Sequence, residues 1–149
     1  MAIALFLSGA LLVGAVVQDL RSRQISDAYP LGLLAVALCA GLLGWDPTTW
    51  SSRAAGLGVG FGIGAALFYS GAFGGGDAKL LAGLGAVLGF WPTLSVLFYT
   101  AICGGLLGAL ALRKGSKEIA YAPAIAAGAF CWMVLSRVAP SAPMIWTNP

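Results

Sequence analysis

The sequence predicts an all-α protein: a polytopic membrane helix bundle of about six transmembrane helices with the N-terminus outside. Hydrophobic residues make up 60% of the 149 residues and charged residues only 9%, a balance outside the range of soluble globular proteins. The apolar residues form continuous blocks, as in spanning helices. The basic residues gather in alternate connections between these blocks, which indicates the orientation.

Each apolar block has about 14 to 20 residues, close to the length that a helix needs to cross hydrocarbon. The first block has no basic flank before it and no small-residue cleavage site after it, so we interpret it as a spanning helix rather than a signal peptide. The second and fourth are short enough to be tilted or partly re-entrant. In chain order, the blocks are Ala2 to Val17, Pro30 to Leu43, Ala54 to Phe73, Asp77 to Phe90, Leu94 to Leu112 and Tyr121 to Val138.

No connection between blocks is long enough for a second folded domain, so residues 1–149 are expected to form one integral-membrane domain. Glycine recurs at every fourth position in two of the blocks, and small residues at this spacing allow helices to pack closely. We therefore expect close contacts on two faces of the third helix and one face of the fifth. The positions are Gly56, Gly60 and Gly64, then Gly58 and Gly62, and finally Gly104 and Gly108.

With the N-terminus outside, six of the eight basic residues fall on the cytoplasmic side and only Arg53 and Arg137 fall outside. Four tryptophans then lie at the outer interface, where amphipathic rings are favoured. We interpret the net charge of +3 as topology and attraction to anionic lipid, with no nucleic acid partner. The cytoplasmic cations are Arg21, Arg23, Lys79, Arg113, Lys114 and Lys117, and the interfacial tryptophans are Trp45, Trp50, Trp91 and Trp146.

The three cysteines lie in separate apolar blocks and the chain has no histidine, so no metal site and no cofactor are expected. The lack of histidine also removes the Ser–His and Cys–His routes to an activated nucleophile. Acid–base chemistry must then fall to carboxylates, lysines or tyrosines. The cysteines Cys39, Cys103 and Cys131 are expected to pack as small apolar residues.

Two acids, Asp19 and Asp77, are the candidate catalytic residues. Asp19 closes the first block and Asp77 opens the fourth, so both fall at the cytoplasmic boundary. Two neighbouring carboxyl groups share one proton, and such a pair can activate water for peptide hydrolysis with one member as base and the other as acid. Two simpler interpretations stay open. Asp19 could be an interfacial residue paired with Arg21 or Arg23, and Asp77 could cap its helix.

Three consecutive glycines, Gly74, Gly75 and Gly76, precede Asp77. They should break or loosen the helix there. Irregular backbone at this depth is tolerated where it lines a cavity, so we expect a cavity beside Asp77.

The remaining charged groups have simpler interpretations. Asp27 is expected to cap or turn into the second helix, Asp46 to belong to a turn, and Glu118 to be a solvated charge. Lys79 could lower a carboxylate pKa or extend to the lipid headgroups.

The run from Gly74 to Leu81, with Asp77 and Lys79 inside it, resembles the GxGD signature of the prepilin peptidases and their archaeal preflagellin relatives. Asp19, followed six residues later by Ile25, is similar to the first catalytic segment of that family, although Ser26 and Asp27 stand where proline and asparagine are usual. A third similarity covers residues 119–128 and includes Tyr121 and Pro123. There Ala120 replaces an expected proline and Ala122 an expected glycine.

The resemblance implies an aspartyl endopeptidase of the bacterial inner membrane that cleaves the basic leader of a type IV pilin-like precursor on the cytoplasmic side. Asp19 and Asp77 would form the dyad, and substrate-positioning residues would be Gly74, Gly75, Gly76, Lys79, Tyr121 and Pro123. The chain is most similar to the short Tad or Flp form without a methyltransferase module, so methylation is not expected. The expected partners are the precursor and membrane lipid. The oligomeric state is left open.

Because the leader and the predicted cytoplasmic face are both basic, we expect the hydrophobic helix of the substrate, lying against glycine-rich surfaces, to supply most of the affinity. Two other functions remain possible at this stage. A small transporter or channel also uses broken helices, and a noncatalytic membrane subunit would need neither aspartate.

Overall fold

The computed structural model describes residues 2–113 and 121–138, and over these ranges the chain is helical with no strands. The all-α prediction is therefore confirmed for the described residues. The six helices, in chain order, are α1 Ala2–Ser22, α2 Ala28–Leu42, α3 Trp50–Tyr69, α4 Gly75–Leu88, α5 Phe90–Arg113 and α6 Ala122–Val138. Lys114, Lys117, Glu118 and Trp146, which enter the predictions above, lie outside the described residues.

The helix α3 begins four residues before the predicted apolar block. The side chain of Thr49 accepts a hydrogen bond from the backbone N–H of Ser52 at 3.3 Å, so it caps the first turn. The first turn of this helix is polar, from Ser51 to Arg53, so a hydropathy pattern does not include it in the apolar block.

The helix α4 forms the centre of the bundle. It packs against α2 and α3 and also contacts α1 and α5, while α6 packs against α5 and α1. Most of its side chains are buried, including Leu80, Leu81 and Leu84, which belong to the main hydrophobic cluster. The first turn of α4, which carries Asp77, is therefore held in place from several sides.

Glycines set the close contact between α3 and α4. Gly56 and Gly85 face each other, and a Cβ on either would overlap the carbonyl oxygen of the other. Gly60 and Gly64 lie equally close to the α4 backbone, so the predicted close packing is present on this face. The prediction for the second face was wrong: in the described part of the chain nothing lies within 4 Å of a Cβ added at Gly58 or Gly62.

The contacts between helix ends show that the helices alternate in direction. The end of α1 and the starts of α4 and α6 meet at one end of the bundle, which we call the site end, where Asp19 contacts Ala122 and Ile25 contacts Gly76. The end of α2 and the starts of α3 and α5 meet at the opposite end, where the Ser52 hydroxyl accepts a hydrogen bond from the Phe90 N–H.

A buried ion pair joins the elements at the opposite end. The guanidinium of Arg53 lies 2.6 Å from a carboxylate oxygen of Asp46, and the two side chains are only 4% and 3% exposed. The same guanidinium donates to the carbonyl oxygens of Ala86 and Val87 in the last turn of α4. Asp46, interpreted from the sequence as a turn residue, is thus also the partner of Arg53.

Two helices, Ile3–Ser22 and Phe90–Ala109, are long and apolar enough to cross a membrane, and Ala28–Leu42 and Ala122–Arg137 are shorter apolar helices. Large apolar side chains also cover the outside of the bundle. Phe6, Phe61 and Phe98 are among the exposed ones.

Candidate active site

Asp19 lies in the last turn of α1 with its side chain turned into the bundle. The residue is 6% exposed, and its Oδ2 accepts a hydrogen bond from the backbone N–H of Ala122 at 3.3 Å. The helix ends just beyond, where Arg23 takes a left-handed conformation (φ 52°) and its N–H donates to the Asp19 carbonyl. The hydrogen bond between Asp19 and Ala122 joins the first helix to the start of the sixth.

Asp77 is the third residue of α4 and is also 6% exposed. Its Oδ2 accepts a hydrogen bond from the backbone N–H of Gly74 at 3.0 Å. Gly74 is the residue just before α4, so this bond pairs an N–H at the start of the helix. Its Oδ1 is buried and has no hydrogen-bond partner among the residues that the structure describes. Asp77 therefore caps its helix with one oxygen and leaves the other available.

Both aspartates line one cavity of about 340 Å³ at the site end. Asp19 comes from α1 and Asp77 from α4, so the cavity brings together two acids from different helices. The remaining lining residues come from the connection after α1 and from the start of α4. They are Arg23, Gln24, Ile25, Asp27, Gly74, Gly75, Gly76 and Lys79. We refer to this space as the aspartate cavity.

The aspartate cavity offers carboxylates and cations as its ionisable groups. Within residues 2–113 and 121–138, no three His, Cys, Asp or Glu side chains come together in a group that could hold a metal ion. Carboxyl groups can take up and release protons, so the described side chains can support acid–base chemistry here.

The glycine run interrupts the chain less than predicted. The break between α3 and α4 spans residues 70–74, and Gly75 and Gly76 are already helical. Gly76 lies against Ile25, at a position where a Cβ would be 2.8 Å from the Ile25 Cβ. The three glycines line the aspartate cavity, so the run shapes the wall beside Asp77.

Lys79 and Asp27 form an ion pair at the rim of the aspartate cavity. The Lys79 Nζ lies 2.7 Å from the Asp27 Oδ1, with 53% and 63% of the side chains exposed. Asp27 directly precedes α2, as predicted, and its carbonyl oxygen accepts a hydrogen bond from the Leu31 N–H, although its side chain makes no capping bond. The Lys79 ammonium binds a protein carboxylate, that of Asp27.

Tyr121 and Pro123 do not line the aspartate cavity. The Tyr121 ring contacts the Phe73 ring with centroids 4.9 Å apart, and it lines a separate apolar groove. Pro123 lies in the first turn of α6, where a missing N–H is tolerated. The sequence analysis did not identify the contact of Phe73 with Tyr121 or the hydrogen bond from the Ala122 N–H to Asp19. The donor in the second contact is a backbone group, so no residue type in the sequence indicates it.

Comparison with known proteins extends this description. The family model described as Type IV leader peptidase family matches residues 5–109. The prepilin leader peptidase/N-methyltransferase of Bacillus subtilis (strain 168) is 32% identical over 126 residues, covering 80% of this chain and 50% of that protein. The type 4 prepilin-like proteins leader peptide-processing enzyme of Escherichia coli O78:H11 (strain H10407 / ETEC) is 27% identical over 144 residues, covering 92% and 53%.

The chain thus spans about half the length of these curated relatives. No solved structure gives a significant match. The matched region runs from α1 into α5, so it includes both Asp19 and Asp77.

Proposed function

The chain belongs to the type IV leader peptidase family, and from this membership we propose that it is a membrane aspartyl endopeptidase that removes the leader peptide of type IV pilin-like precursors. The observation that carries the proposal is the aspartate cavity itself. Two buried carboxyl groups from distant parts of the chain line one space. An exposed ion pair or a simple helix cap would need neither this burial nor this shared space.

In the proposed reaction, the dyad carries one proton, because two buried carboxylates that share one cavity repel each other when both are ionised. The ionised member takes a proton from a water molecule, whose oxygen attacks the peptide carbonyl carbon. The protonated member donates to the carbonyl oxygen, and collapse of the tetrahedral intermediate with protonation of the amine releases the two products. No covalent bond to the enzyme forms.

The hydrogen bonds of the two aspartates give each a distinct place in this scheme. Asp77 has one oxygen held by Gly74 and an unpartnered Oδ1, which we propose holds the water or the shared proton. Asp19 has its Oδ2 oriented by the Ala122 amide. The two carboxyl groups would titrate as a coupled pair, so a bell-shaped dependence of cleavage rate on pH is expected.

We propose further that the bundle crosses the bacterial inner membrane several times, with its N-terminus outside and the aspartate cavity facing the cytoplasm. The site end carries Arg21, Arg23 and Lys79, in keeping with the retention of basic residues in the cytoplasm. Trp45 and Trp50 lie towards the opposite end, as expected for an outer interface. The exposed apolar side chains provide a surface for lipid.

A cleavage assay in membranes tests the function. The full chain is incubated with a pilin-like precursor, and the shortened product is identified by mass spectrometry. We expect Asp19→Asn and Asp77→Asn each to abolish cleavage, whereas Asp27→Asn, a change at the exposed acid of the same cavity, should retain measurable cleavage. Undiminished cleavage by either dyad variant would refute the mechanism.

The finer substrate assignment is also a proposal. The sequence resemblance to Tad and Flp peptidases suggests Flp-type precursors as the natural substrates. Cleavage of an Flp-type precursor at a higher kcat/KM than a longer type IV pilin-like precursor would support this assignment, and the reverse order would contradict it.

A further inference from the structure

A second cavity, which we call the apolar groove, lies between α3 and α5 and has a volume of about 680 Å³. Its floor is a stripe of α5 that includes Leu97, Ala101 and Gly105, and one wall is formed by Ile63 of α3. Ala101 and Gly105 are exposed, so the groove is open to its surroundings along α5.

The floor of the apolar groove has the shape needed to receive a helix. Its residues recur at helical spacing along α5 over about 18 Å, which is more than three turns at about 1.5 Å per residue. Ala101, Gly104 and Gly105 in this stripe have little or no side chain, and small residues let a second helix approach the backbone closely. Nothing lies within 4 Å of a Cβ added at Gly105, so this part of the floor is unfilled by the described chain.

The chemistry of the groove selects an apolar occupant. None of its lining residues carries a charge, and the polar side chains that line it are only those of Thr100 and Tyr121. A charged peptide would lose its hydration here without gaining a partner. An uncharged, apolar helix has no charge to desolvate, and it gains apolar contact area with the groove.

The apolar groove lies next to the aspartate cavity at two points of the chain. Phe73 lines the groove, and the next residue, Gly74, lines the aspartate cavity and donates to Asp77. Tyr121 lines the groove, and the next residue donates its N–H to Asp19. The Phe73 and Tyr121 rings, which contact each other at a tilt of 42°, therefore lie on the side of the groove nearest the aspartates.

We propose that the apolar groove holds the hydrophobic helix of the precursor while the adjoining peptide bond enters the aspartate cavity past the Phe73–Tyr121 pair. The inference rests on the proposed function and adds the surface that recognises the substrate. The groove then supplies affinity through the apolar helix, and the aspartate cavity supplies the reaction.

The test makes the same substitution, glycine to leucine, at one position inside the groove and at one outside it. Gly105→Leu adds a side chain to the floor of the groove at a position where a Cβ has nothing within 4 Å, and Gly58→Leu adds the same side chain on the exposed face of α3, where a Cβ also has nothing within 4 Å. Each variant is reconstituted in proteoliposomes and assayed on a pilin-like precursor, and on the same precursor with its apolar segment replaced by a polar one of equal length. We expect Gly105→Leu to raise KM for the intact precursor about tenfold, with kcat nearly unchanged, and Gly58→Leu to change neither constant.

Two results would overturn the inference while leaving the peptidase function intact: equal KM values for the two variants, or an equal rise in KM for both precursors. Absence of cleavage by the unsubstituted chain would instead overturn the proposed function and this inference with it.

A cross-linking experiment gives an independent readout. A photoreactive residue at Ala101, in the Asp77→Asn background, should cross-link to the apolar segment of the intact precursor, whereas the same residue at Gly58 should not. Cross-linking at Ala101 to lipid alone would show that the groove is occupied by acyl chains and would refute its role in substrate binding.

Discussion

Gly76 in the first turn of α4 lies directly against Ile25 in the connection after α1, so that an added Cβ would be 2.8 Å from the Ile25 Cβ. This contact fixes the distance between two walls of the aspartate cavity. At Gly75, by contrast, an added Cβ would meet only the Phe68 ring, at an ordinary 3.7 Å.

We predict that Gly76→Ala lowers cleavage strongly, because the new methyl group must push the 23–27 segment or the start of α4 away. Overpacking of this kind costs about 1 to 3 kcal/mol. Gly75→Ala adds the same methyl group and should leave most activity. The measurement is kcat/KM for both variants together with their thermal unfolding temperature, and equal activity of the two variants would contradict the prediction.

A second prediction concerns the contact between α3 and α4. Gly60→Ala should destabilise the bundle, because a Cβ at Gly60 overlaps the carbonyl group of Leu81. Gly58→Ala has open space around it, and replacing glycine by alanine inside a helix stabilises by about 1 kcal/mol. Thermal unfolding in detergent should therefore show shifts of opposite sign, and a fall in unfolding temperature for both variants would count against this packing.

The buried pair of Asp46 and Arg53 should contribute to stability. Asp46→Asn leaves the guanidinium buried without a countercharge, and breaking a buried pair in this way costs about 3 to 5 kcal/mol. Asp27→Asn, at an exposed pair, serves as the control, with an expected loss below about 1 kcal/mol. Denaturant unfolding of the purified wild type and of each variant measures both losses in free energy of unfolding. Similar losses for the two variants would show that burial does not strengthen the Asp46 pair.

The same pair predicts a dependence of stability on pH. Burial alone would raise the pKa of Asp46, but hydrogen bonds from Thr48 and Arg53 outweigh it and hold the pKa below the ordinary value of 3.8. A lowered folded-state pKa means that the stabilisation is complete above the unfolded-state pKa and is lost as pH falls through the folded-state value. The stability difference between the wild type and Asp46→Asn should therefore be constant near neutral pH and shrink below about pH 4. A constant difference down to pH 2 would contradict this account.

The pair of Lys79 and Asp27 at the cavity rim should act on substrate positioning more than on stability. Lys79→Met is expected to raise KM more than it lowers kcat, because the rim loses the contact that ties α4 to the connection before α2. The exchanged variant Asp27→Lys/Lys79→Asp restores the pair in reverse and should recover part of the lost affinity. Steady-state kinetics of the wild type, Lys79→Met and the exchanged variant give KM and kcat for each. An exchanged variant with a KM no lower than that of Lys79→Met would argue against positioning by the pair.

The order and number of helices follow from the apolar blocks, but their starts depend on local contacts. The helix α3 begins at Trp50 because Thr49 caps it, and its first turn carries Arg53, whose charge is neutralised by Asp46. A hydropathy pattern contains neither contact. Glycine spacing identified two small faces on α3, yet it could not tell which one a neighbouring helix would cover, since that depends on how all the helices pack.

Much of the candidate site could be chosen from residue type and position. Asp19 and Asp77 were selected because both acids lie at ends of apolar blocks at the same predicted depth and a glycine run precedes Asp77, and both line the aspartate cavity. The pairing of Lys79 with Asp27 was missed because it depends on how the 23–27 segment folds back over α4. Tyr121 was expected to position the substrate, and its side chain lines the apolar groove rather than the aspartate cavity. Whether the dyad performs the reaction stays a prediction.

The hydrogen bond between the Asp19 carboxylate and the Ala122 amide has a consequence for biosynthesis. Ribosomes make the chain from its N-terminus, so Asp19 and Asp77 are both in place before the sixth helix has been synthesised. A nascent chain at that stage carries both acids but lacks the donor that orients one of them. If the proposed function holds, competence to hydrolyse peptides would then arise only when the final helix docks.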